Sequence, residues 1–69
     1  MRASAAEVLR EAARDVHPNE SFEKALSRSI QKHQGTYQDY VDLIADVRER
    51  ARKDKTSLGD AAKSLAAEE

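Results

Sequence analysis

The sequence has no cysteine and no tryptophan, one proline, one phenylalanine and two glycines. Without cysteine there is neither a disulfide nor a thiolate metal site. With only Gly35 and Gly59 there is no glycine-rich loop to cradle a phosphate. No apolar run approaches the roughly 20 residues of a membrane-spanning helix. Large apolar residues are also scarce. Leu, Ile, Val and Phe number 12 of 69, a level that signals disorder only when net charge is high as well. Here 12 basic and 13 acidic residues leave a net charge of −1, so a folded chain with a thin core is expected.

What is abundant is alanine, at 12 positions, and charge, at 36% of residues. Alanine buries little area but is the best helix former. Balanced charges fit a helical surface laced with ion pairs. A chain this short buries only about 60% of its unfolded surface. The expectation is a single helical domain, residues 1–69, in which short helices approach closely and a protein partner or a second copy adds apolar contact. Met1-Arg2-Ala3-Ser4 leads into a charged helix rather than the apolar segment of a signal peptide, which points to a cytoplasmic protein.

Four segments carry helix signals, and none alternates as a strand would. The fold class expected is all-α, a small bundle of three to four short helices joined by tight turns. The first helix spans Ala5 to about Val16. Ser4 and Glu7 have capping-box spacing, Val8, Leu9, Ala12, Ala13 and Val16 form one stripe, and Arg10, Glu11 and Arg14 lie opposite. Pro18 ends it by disfavouring helix at His17. The second begins at Asn19 or Ser21 and runs to Gln34, with Phe22, Ala25, Leu26 and Ile30 on its apolar face. Gly35 suits a left-handed helix terminus, and Thr36 caps the next helix at once, so helices two and three are expected to pack as antiparallel neighbours. The third spans Tyr37 to Asp54, with Thr36 and Asp39 as its capping pair. Tyr37, Tyr40, Val41, Ile44, Val47 and Ala51 hold helical spacing, and Leu43 widens that face. Asp46–Arg50 and Glu49–Lys53 are acid-before-base pairs four apart. The fourth opens at Thr56 or Ser57 and carries Leu58, Ala61, Ala62, Leu65 and Ala66.

Few residues suggest chemistry. Ser29 and His33 fall inside the apolar arc of the second helix. Ser29 can bond back to the carbonyl of Ala25. His33, in the last turn, suits the helix dipole. Neither it nor His17 has metal-ligand spacing. No catalytic residue, cofactor site or metal site is assigned, and the chain is read as no enzyme. The remote enzymatic reading makes His33 a general base near Tyr40 or Asp39 across the Gly35 turn. Leu43, Arg48, Leu58 and Leu65 are the candidate interaction residues, because they lie on or beside apolar stripes. Arg48 either meets a carboxylate or a partner, or lays its stem along apolar surface. Tyr37 and Tyr40 read as half-buried core.

Thr56-Ser57-Leu58-Gly59-Asp60-Ala61-Ala62-Lys63-Ser64-Leu65-Ala66 resembles the opening helix of a helix-turn-helix over about eleven residues. The resemblance implies a recognition helix after it, whereas only Ala67, Glu68 and Glu69 follow. Arg50, Arg52, Lys53, Lys55 and Lys63 are the candidate nucleic-acid contacts on that reading. The first four spread around their helix, whereas tracking phosphates needs several cations on one side. The leading expectation is therefore a small interaction or regulatory module that binds a protein partner or self-associates, most simply as a dimer, without membrane or metal. Nucleic-acid binding is the alternative.

Overall fold

The computed structural model describes residues 1–68. Four helices follow one another: α1 (Ala5–Asp15), α2 (Phe22–Lys32), α3 (Tyr37–Asp54) and α4 (Leu58–Ala67). The chain is an all-α bundle. Each helix starts where a hydroxyl side chain can take an orphan amide. Ser4, Ser21, Thr36 and Ser57 accept from the backbone N–H of Glu7, Lys24, Asp39 and Asp60 at 3.1–3.2 Å. At Thr36 the box is reciprocal, because the Asp39 carboxylate accepts from the Thr36 N–H at 2.8 Å.

The end of α2 departs from expectation, whereas α3 ends at Asp54 as expected. α2 stops at Lys32, and the residue in the left-handed region after it is Gln34, φ 61°, not Gly35. The Gly35 N–H reaches the Ile30 carbonyl at 2.8 Å and the Gln34 N–H the Gln31 carbonyl at 3.1 Å, which together make a Schellman terminus. α3 also ends at a left-handed residue, Lys55, φ 55°, and there the N–H groups of both Lys55 and Thr56 turn to the Ala51 carbonyl, that of Thr56 at 3.0 Å.

α1 packs most extensively on α4, then on α2, and α3 packs on α4. The α2–α3 contact is the slightest of the four. The helices thus form a ring that is closed by α1 and α4 and thin at α2 and α3. Leu26, Val8 and Val47 are the largest fully buried side chains, and eight of the sixteen buried apolar residues are alanines. The short side chains let α1 and α4 approach closely, so their alanine faces cover each other within one chain instead of awaiting a partner. The sole buried polar residue among those described is Ser29. Its hydroxyl donates to the Val8 carbonyl of α1 at 3.1 Å rather than back to Ala25.

Candidate functional site: an open tyrosine face between α2 and α3

The stripe of α3 is longer than the surface the rest of the chain offers it. Its central and C-terminal residues, Leu43, Ile44, Val47 and Ala51, are buried. Its first turns are not. Tyr40 is half-buried, as expected, but Tyr37 is 79% exposed, where half-buried core is expected, and Val41 is 37% exposed. The rings of Tyr37 and Tyr40 stack with centroids 6.1 Å apart and planes 27° from parallel, a separation at which aromatic pairs are favourable.

Beside this pair the slight α2–α3 contact leaves a cleft of about 440 Å³. Ile30, Tyr37 and Tyr40 line it with Gly35 and Thr36 of the turn, and Lys24, Ser27 and Gln31 are among its polar groups from α2. Such an open cleft, with the apolar bodies of Ile30, Tyr37 and Tyr40 set among the polar side chains of Glu23, Lys24, Ser27, Gln31 and Thr36, fits a side chain or a short segment of another molecule. Glu23 stands at its edge and also lies 3.7 Å from the Arg48 guanidinium.

The sequence-based candidates do not assemble there. Leu43 is 8% exposed and belongs to the core, so it has no surface to offer a partner. Leu58 and Leu65 are half-buried against the core cluster. Arg48 is exposed and meets Glu23 of α2, the carboxylate option of the two weighed for it. Tyr37 and Val41, the most exposed members of the face, carry an ordinary core pattern. Only the slightness of α2 packing exposes them, and that lies outside local sequence.

The basic candidates are also dispersed. Arg50 is only 20% exposed and forms a two-pronged ion pair with Glu68 at the end of α4, with Asp54 at 3.6 Å and the Ser64 hydroxyl at 3.4 Å. These neighbours hold its guanidinium pKa above the ordinary value, chiefly through the Glu68 bond. The pair replaces the Asp46–Arg50 pair expected from spacing and occupies the side chain a phosphate would need. Arg52, Lys53, Lys55 and Lys63 are exposed, but Arg52 and Lys53 are separated by about 100° around α3. α4 buries Ala61, Ala62 and Ala66 in the bundle core, as the apolar face of any short helix here does.

Two carboxylates that spacing alone did not single out tie the chain together, Glu11 between α1 and α2 and Glu20 in the loop that joins them. Glu11, expected on the outer face of α1, is 12% exposed and reaches α2. One oxygen meets the Lys32 ammonium, and the other lies 2.6 Å from His33 Nε2. The Lys32 bond, then the His33 bond, lowers the Glu11 pKa to about 2. The His33 ring is thus directed at α1 and not across the Gly35 turn toward Asp39, whose carboxylate serves the Thr36 amide. Glu20 is gripped by the Arg28 guanidinium, which also donates to the Asp15 carbonyl at the end of α1 at 3.0 Å. The Arg28 bond is the main cause of the Glu20 pKa falling to about 2. No group of three or more potential metal ligands occurs among the described residues, and no described helix is long and apolar enough to cross a membrane.

No protein-family model, curated protein or solved structure matches the chain.

Proposed function

We propose that the chain is a small helical interaction module that acts by binding protein through the Tyr37–Tyr40 end of α3 and the adjoining cleft. The observation that carries this reading is the exposure of Tyr37 and Val41 on a stripe whose remainder is core. Tyrosine combines a large rigid apolar ring with a polar tip, which makes it effective at protein interfaces and inexpensive to order. The cleft next to it is open and already formed, so binding requires little rearrangement of the bundle.

Panning a displayed peptide library on the folded chain tests this. Selected peptides are expected to shift the amide resonances of Lys24, Gln31, Thr36, Tyr37 and Tyr40, and Tyr37→Ala is expected to weaken them at least about tenfold. Failure to select any binder, or shifts confined to α1 and α4, removes the reading.

A further inference from the structure

We draw no further inference here: the strongest candidate, the exposed Tyr37–Val41 face at the start of α3 with the α2–α3 cleft beside it, belongs to the site already described, and nothing in the structure shows which occupant covers it.

Discussion

Gly35 is pressed against Ile30. A Cβ placed on the glycine would overlap the Ile30 Cγ2 methyl and lie 3.2 Å from the Ile30 carbonyl oxygen and 3.1 Å from an Asp39 carboxylate oxygen. The glycine is needed for space, not for a left-handed backbone, which Gln34 supplies one residue earlier. Gly35→Ala is therefore expected to destabilise the chain by about 1–3 kcal/mol through overpacking. Urea unfolding would show a lower midpoint at an unchanged slope.

The opposite sign is expected one residue before. Gln34 and Lys55 both hold a conformation that costs a side-chain-bearing residue about 1–2 kcal/mol. Glycine there removes that cost but adds its own entropy loss, so Gln34→Gly and Lys55→Gly should each stabilise by about 0.5–1 kcal/mol. The pair Gln34→Gly and Gly35→Ala thus separates conformation from crowding in a single turn. Equal effects of the two would contradict this division.

The Ser29 hydroxyl ties α2 to α1 through the Val8 carbonyl inside the core. Ser29→Ala should cost about 1 kcal/mol, the net worth of one hydrogen bond. The effect stays modest because the carbonyl belongs to a helical turn and keeps its backbone partner. Ser29→Val, at a site only 5% exposed, adds volume as well and should cost more. A calorimetric ranking of wild type above Ala above Val checks both statements.

Much of the bundle was legible in the sequence because its signals are local. Ser4 and Thr36 mark two helix starts outright, and of the alternatives at the other two the structure takes Ser21 over Asn19 and Ser57 over Thr56. The stripes of α1 and α4 also read correctly as buried faces. What local spacing does not carry is which helix lies across which. Glu11 meets residues 21 and 22 positions away, so its place on the outer arc of α1 says nothing of its clamp. Tyr37 and Tyr40 keep a core-like period, yet Tyr37 is exposed and Tyr40 half-buried in the first turns of α3, beside α2. The open face arises from the slight α2–α3 packing, which no local pattern in the sequence reports. Ser29 misleads for the same reason, since a bond to Ala25 is local and the bond to Val8 is not.

Glu11 and Glu20 contribute most to how the fold responds to acid, beside the smaller contributions of Asp15, paired with Arg14, and Glu68, paired with Arg50. Glu11 and Glu20 are each lowered to about 2 in the folded chain, from an ordinary value of 4.5, by Lys32 and His33 and by Arg28 respectively. A depressed carboxylate contributes stability that is fully present above its unfolded pKa and is lost as pH falls through its folded pKa. The window therefore runs from about pH 5 down to about pH 2, and stability should fall throughout it. Glu11→Gln and Glu20→Gln should each be less stable than wild type at pH 7 but flatter across this window, because neither amide titrates. The largest effect is expected for Glu11, whose carboxylate joins α1 to α2 through two side chains, whereas Glu20 braces a loop. Urea titrations at pH 7, 4 and 2.5 check this, and added salt should reduce the differences because both pairs lie near the surface. Parallel pH profiles for wild type and both variants would show that these carboxylates are not what acid acts on.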